Sequence, residues 1–154
     1  MTYLRAVAVV GILAASLSVS ARPNQKAVPM TRVSGEFDVK ITPQPNDEFG
    51  AMGIDKQYRG DLVGTARGRM LTAGDASKGS GAYVAIENVS GTLQGKKGTF
   101  ALHHVGVMDK NAQNLAIAVV PGSGTGELAG LSGTMTIDIK DGKHFYTLNY
   151  AITE

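Results

Sequence analysis

Apolar and polar residues alternate with a period of two along most of this chain. The alternation is clearest in the apolar set Val33, Gly35, Phe37, Val39 and Ile41, which is interleaved with polar residues. Successive side chains of a β-strand point to opposite faces, so this pattern indicates a strand with one buried face and one solvated face. No segment carries the apolar stripe of a helix over three turns. The chain is therefore predicted to be all-β.

Further strands are predicted wherever the alternation returns between clusters of turn-forming residues. Their predicted ranges are Asp61–Leu71, Ala82–Val89, Thr99–Met108, Leu115–Val120, Thr134–Ile139 and His144–Ile152. Pro43 and Pro45 end the first strand, and the Gly and Asp residues of Asn46–Gln57 that follow predict a long loop. Asp141 and Gly142 have the composition of a two-residue hairpin turn, which needs positive φ angles.

Two segments of the sequence share the pattern Gly-x-Leu-x-Gly-x-x-Gly-Thr followed by a large apolar residue. They are Gly91–Phe100 and Gly126–Met135. The pattern predicts a strand whose Leu points inward, a tight glycine connection and a second strand. The alternative is two unrelated turns that share glycines. Repeated antiparallel hairpins close into a barrel, which removes exposed sheet edges, so the predicted fold is a single closed antiparallel β-barrel.

The first residues of the chain have the organisation of a secretory signal peptide. Arg5 is followed by the apolar run Ala6–Leu17 and by small residues that include Val19 and Ala21. This pattern predicts cleavage after residue 21, with an uncleaved anchor as the alternative. Residues 22–31 are then a flexible leader and residues 32–154 the barrel domain. No later segment is apolar over the roughly 20 residues that a spanning helix needs, so the expected location is the periplasm or the medium.

Charge and residue types exclude several functions. Lys and Arg number 15 against 13 Asp and Glu, a formal net charge of +2 without a basic run, so no nucleic-acid partner is expected. The absence of cysteine excludes disulfides and thiolate sites. His103 and His104 point to opposite faces of a strand, so no metal site is predicted. The glycine-rich stretch Gly122–Gly126 is predicted to be a structural turn and not a nucleotide loop. No cofactor is expected, and the oligomeric state stays open.

Strand parity selects four polar residues as a candidate ligand-binding site. His104 shares its face with Phe100 and Leu102, and Glu87 lies in register with Tyr83. Tyr150 shares a face with Leu148 and Ile152. Inside a barrel, Glu87, His104, Tyr83 and Tyr150 are expected to form a polar cluster that orients a small ligand or moves a proton. The alternative is a satisfied structural network without a ligand.

Three function classes follow from this arrangement, and the sequence does not identify catalytic residues. The first is an exported barrel that binds a small, largely apolar molecule. The second is a cyclase or isomerase that uses Glu87 and His104 as acid and base. The third is a structural or partner-binding envelope protein, which would show a filled interior and an exposed apolar patch.

Three stretches of the sequence resemble a known bacterial family. They are Tyr83–Glu87, Gly91–Gly106 and Val119–Gly133. Over residues 32–153 the chain resembles the family named domain of unknown function 3224. The resemblance implies a small antiparallel barrel similar to the allene oxide cyclase barrel, with room for a cavity. It implies no activity, because function depends on the site and not on the fold.

Overall fold

The fold is a closed barrel of eight antiparallel strands. The computed structural model describes residues 28–45, 49–75, 78–110 and 112–153. Each strand pairs with the next along the chain, and β8 pairs with β1 to close the barrel. The strands are β1 Thr31–Pro43, β2 Met52–Gly60, β3 Leu62–Asp75, β4 Ser80–Leu93, β5 Lys96–Asp109, β6 Ala112–Val119, β7 Leu131–Lys140 and β8 Lys143–Ile152. The predicted all-β closed barrel is confirmed. The predicted signal peptide and most of the leader lie outside the described residues.

Strand β2 corrects the sequence prediction. Much of it falls inside Asn46–Gln57, which was predicted to be a loop. The strand has regular alternation, with Ile54, Lys56 and Tyr58 buried and the residues between them exposed. The alternating pattern of β2 is hard to recognise in the sequence because its central inward position carries a lysine. The first two outward positions carry a glycine and an aspartate, which are depleted in strands. The loop prediction was wrong because it weighed residue type above periodicity.

The predicted turns and repeats are confirmed in part. Asp141 and Gly142 have φ values of 51° and 74° and connect β7 to β8 as a two-residue hairpin. Leu93 and Leu128, the repeated leucines, are both fully buried. Leu93 ends a strand, whereas Leu128 lies in a short 3-10 turn, Gly126–Leu128. The second copy of the repeat therefore keeps the inward leucine, but a 3-10 turn takes the place of the strand that carries this leucine in the first copy. In the described part of the chain, no helix is long and apolar enough to cross a membrane.

The two ends of the barrel differ in how they are filled. The end that carries the β2–β3, β4–β5 and β6–β7 connections is packed by large buried side chains, which burial of apolar surface stabilises. They include Val33, Tyr58, Leu62, Leu93, Phe100, Leu102, Leu128, Leu131, Tyr146 and Leu148. At this end the Tyr146 hydroxyl accepts a hydrogen bond of 2.8 Å from the backbone N–H of Leu62. The other end, with the β1–β2, β3–β4, β5–β6 and β7–β8 connections, is hollow.

Candidate functional site

Glu87 on β4 and His104 on β5 form a hydrogen-bonded pair inside the barrel. His104 Nε2 lies 2.6 Å from Glu87 Oε1. Glu87 is fully buried and His104 is 4% exposed. Both residues lie on the inner face, as their strand parity predicted. The neighbouring strands bring the two side chains together because Ala85 pairs with His104 and Glu87 pairs with Leu102.

Lys56 on β2 is a third member that the sequence prediction missed. Its Nζ donates a 2.7 Å hydrogen bond to the same Glu87 oxygen, and the residue is 8% exposed. The ammonium also lies 4.7 Å from the centroid of the Phe37 ring and 5.8 Å from that of Tyr58. A cation over an aromatic face is attracted by the ring quadrupole. A carboxylate and two rings thus hold Lys56 in place. We call Lys56, Glu87 and His104 the polar cluster.

Glu87 carries its charge within this buried cluster. Burial would raise the pKa of Glu87, but the His104 hydrogen bond and the Lys56 charge and hydrogen bond outweigh it and hold that pKa below its usual range. The ionised carboxylate has only acceptor sites, so His104 Nε2–H donates this hydrogen bond. His104 Nδ1 has no hydrogen-bond partner among the described residues. The charges of Lys56 and Glu87 cancel.

Two polar atoms beside this network are buried without a hydrogen-bond partner in the described part of the chain. They are the second Glu87 oxygen, Oε2, and the Tyr58 hydroxyl. Burial, reinforced by the negative charge of Glu87, raises the pKa of Tyr58, so its hydroxyl stays protonated. An unsatisfied buried polar group costs about 1–3 kcal/mol. Of the two Glu87 oxygens, only Oε1 is hydrogen-bonded within the described residues.

A cavity of about 640 Å³ occupies the hollow end of the barrel. Lys56 and His104 line it, whereas Glu87 does not. Most of the wall is apolar, and it includes Phe37, Val39, Ile41, Met52, Ile54, Met70, Ala85, Met108, Leu115, Ile137 and Ile139. Among the polar lining residues, Lys56 and His104 lie farthest from the mouth of the cavity along their strands. The cavity therefore has an apolar wall and a polar floor.

Tyr83 lines this cavity on the wall formed by β4. Its ring packs against Gly106 on β5, where an added Cβ would overlap Tyr83 Cε1. Glycine at that position therefore makes room for the tyrosine. Burial and the charge of Glu87 raise the pKa of Tyr83. The structure thus brings Tyr83, His104 and Glu87 to the same half of the barrel.

Tyr150 lies at the opposite, packed end. Its hydroxyl donates a 3.3 Å hydrogen bond to Oε1 of Gln94, a residue of the β4–β5 turn. Glu87 lies seven positions before Gln94, which is about 23 Å along an extended strand. The expected cluster is corrected here, with Lys56 in the place of Tyr150. Parity placed Tyr150 on the inner face correctly, but it carries no information about height along the barrel axis.

The outer surface of β3, β4 and β5 carries a row of exposed apolar residues. Leu71 pairs with Val84 and Val84 pairs with Val105 across the three strands. These three residues, with Ile86 and Val107, are 42–52% exposed. An exposed patch was one of two expectations for a partner-binding protein. The other expectation, a filled interior, is not what the structure shows.

The geometry defines a small closed antiparallel β-barrel, packed at one end and hollow at the other, with a buried ion pair and a histidine at the cavity floor. The chain belongs to the DUF3224 family of proteins of unknown function, whose profile matches residues 33–150. A crystal structure of a DUF3224-family protein of unknown function from Shewanella oneidensis MR-1 is similar to it. That protein is 44% identical with a TM-score of 0.77, over 82% of this chain and 100% of that chain. Comparison with curated proteins finds no match.

Proposed function

We propose that this protein is an exported barrel that binds a small, largely apolar molecule in its cavity. The observation that carries the proposal is the cavity of about 640 Å³ with an apolar wall and a polar floor. Binding sites for small molecules typically enclose about 300–1,000 Å³ and combine apolar lining with a few polar groups that fix orientation. The predicted signal peptide supports export.

The chemistry of Glu87 favours binding over the cyclase or isomerase alternative. A general acid or base works best when its pKa lies near the operating pH. The pKa of Glu87 is instead held below its usual range, and Glu87 does not line the cavity. Lys56 and His104 lie between this carboxylate and any ligand. The enzyme alternative would require turnover that depends on both Glu87 and His104.

The proposal is tested with N-phenyl-1-naphthylamine, an uncharged apolar dye whose emission rises when it leaves water. Ala85 lines the cavity, so Ala85→Leu fills part of it and should weaken dye binding at least about tenfold, which corresponds to 1.4 kcal/mol. Met108→Trp obstructs the cavity nearer its mouth and provides a second variant if Ala85→Leu unfolds.

The matched control is the same substitution on the outer surface. Ala116 pairs with Val105 of the outer apolar row, is exposed and points away from the cavity. Ala116→Leu should leave dye affinity unchanged. If dye affinity responds to Ala116→Leu and not to the two cavity variants, the dye occupies the outer row and the cavity proposal fails.

A further inference from the structure

We infer that the ligand is an uncharged apolar molecule whose hydroxyl or carbonyl oxygen faces the cavity floor and accepts a hydrogen bond from Lys56. This inference rests on the proposed function and adds the chemical class of the ligand. It depends on the charge balance of the cavity and on the hydrogen-bonding groups that the polar cluster leaves free.

Every ionic charge that lines the cavity already has an opposite charge beside it. Lys56 is paired with Glu87 at 2.7 Å. At the rim, Asp75 is paired with Lys78 at 3.0 Å. The other titratable residues that line the cavity are Tyr83, His104 and His144. His104 donates a hydrogen bond to Glu87, and the His144 ring packs on the Phe37 ring at 5.2 Å between centroids.

A charged ligand head of either sign would therefore be buried beside compensated charges. A buried charge is tolerated when it is paired and is strongly disfavoured when it is not. A carboxylate head would compete with Glu87 for Lys56, and an ammonium head would compete with Lys56 for Glu87. An uncharged head leaves the existing ion pair intact, which is why the cavity should select against both ions.

The floor still offers directional hydrogen bonds to an uncharged head. An ammonium has three N–H donors, and Lys56 gives one of them to Glu87. Lys56 lines the cavity, so its remaining donors are available to an acceptor oxygen of the ligand. An alkane would leave these donors without a partner, so an oxygen at the floor distinguishes the ligand from a plain hydrocarbon.

The test compares four probes of equal chain length in competition with the dye. They are 1-octanol, 2-octanone, octanoate and octylamine, all measured at the same pH of about 8, which lies between the reference pKa values of a carboxyl group and of an alkyl ammonium group. The expected result is that 1-octanol or 2-octanone displaces the dye at concentrations at least about tenfold lower than octanoate and octylamine, a difference of 1.4 kcal/mol. If either charged probe competes as well as both neutral ones, the inference is overturned even though the dye still reports a cavity. If the dye itself ignores the cavity variants, the proposed function and the inference both fail.

Variants that unbalance the charge provide a stronger test. Glu87→Gln leaves the Lys56 ammonium without a counterion and should shift the preference to octanoate. Lys56→Met leaves the Glu87 carboxylate in excess and should shift it to octylamine, so either variant serves if the other does not fold. Asp55→Asn changes an exposed charge on the same strand and should keep the preference for neutral probes. If folded Glu87→Gln or Lys56→Met protein keeps the wild-type preference, charge balance does not select the ligand.

Discussion

Replacement of Glu87 by glutamine should be among the most destabilising conservative substitutions in this barrel. The carboxylate is fully buried and accepts hydrogen bonds at 2.7 Å from Lys56 and 2.6 Å from His104. Glu87→Gln keeps the shape of the side chain but leaves the Lys56 ammonium without its counterion. Removing one partner of a buried ion pair costs about 3–5 kcal/mol. We expect a loss of that size, which is a large share of the roughly 5–15 kcal/mol that stabilises a typical domain.

The double substitution separates pairing from simple loss of packing. Lys56→Met alone removes the cation and should also destabilise the fold, because Glu87 then keeps only His104 as a donor. The double variant Lys56→Met with Glu87→Gln no longer contains an unpaired charge. Its loss should be smaller than the sum of the single losses by about 2–3 kcal/mol, which is the coupling expected between contacting residues.

Equilibrium urea unfolding followed by far-UV circular dichroism at pH 7 measures these differences, since loss of the strands reports the transition. Asp55→Asn is the matched control. Asp55 lies next to Lys56 on β2 and forms a solvent-exposed pair with Arg67, at 3.5 Å. Exposed pairs contribute about 0–1 kcal/mol, so the control should barely shift the midpoint. If Glu87→Gln costs no more than this control, or if the two single losses simply add, the buried ion pair does not stabilise the fold.

Three further measurements follow from the structure. The pKa of Glu87 is lower in the folded protein than the ordinary value of about 4.3, so the contribution of Glu87 to the free energy of unfolding is complete above that pH and is lost as the pH falls through the folded pKa. The difference in stability between wild type and Glu87→Gln should therefore become smaller in acid. A difference that grows in acid contradicts the ion pair. Tyr146→Phe leaves the buried Leu62 N–H without its 2.8 Å acceptor and should cost about 1–3 kcal/mol in urea unfolding, whereas a loss below about 0.5 kcal/mol would show that this bond contributes little. Protein recovered from the periplasm or medium should have the intact mass of residues 22–154, and a full-length mass there would contradict the predicted cleavage.

The alternation of residues was sufficient to predict the all-β fold and the inward direction of Glu87 and His104, and the repeated glycine hairpins predicted that the sheet closes. It was sufficient because side-chain direction in a strand has a period of two, so parity alone assigns a face. Parity does not assign height, because strand tilt and stagger determine which inward residues meet across a barrel. Tyr150 was therefore placed in the cluster although its hydroxyl lies near Gln94. Lys56 was missed for another reason, since a lysine at an inward position looked like part of a loop.

The hollow end could not be predicted from composition. The apolar residues that line the cavity, such as Ile54 and Met70, are of the same types as those that fill the packed end. Whether opposite side chains touch depends on strand length and on what covers each end. Leu128 in the 3-10 turn is fully buried at the packed end, next to Gly98 of β5. The hollow end is bordered by hairpin connections, with exposed residues such as Ile41 and Ile139 at the rim.

The position of the polar cluster supports the proposal that it serves a ligand in the cavity. A barrel that only had to be filled would be at least as stable with apolar side chains there, since replacing a buried ion pair by well-packed apolar residues is often neutral or stabilising. This chain instead keeps Lys56, Glu87 and His104 inside, with the Glu87 Oε2 and Tyr58 hydroxyl unsatisfied among the described residues. Departures from good local packing and polar satisfaction are expected where function requires them. The polar cluster lies where the packed interior ends and the cavity begins, which is where the head of the proposed ligand would be held.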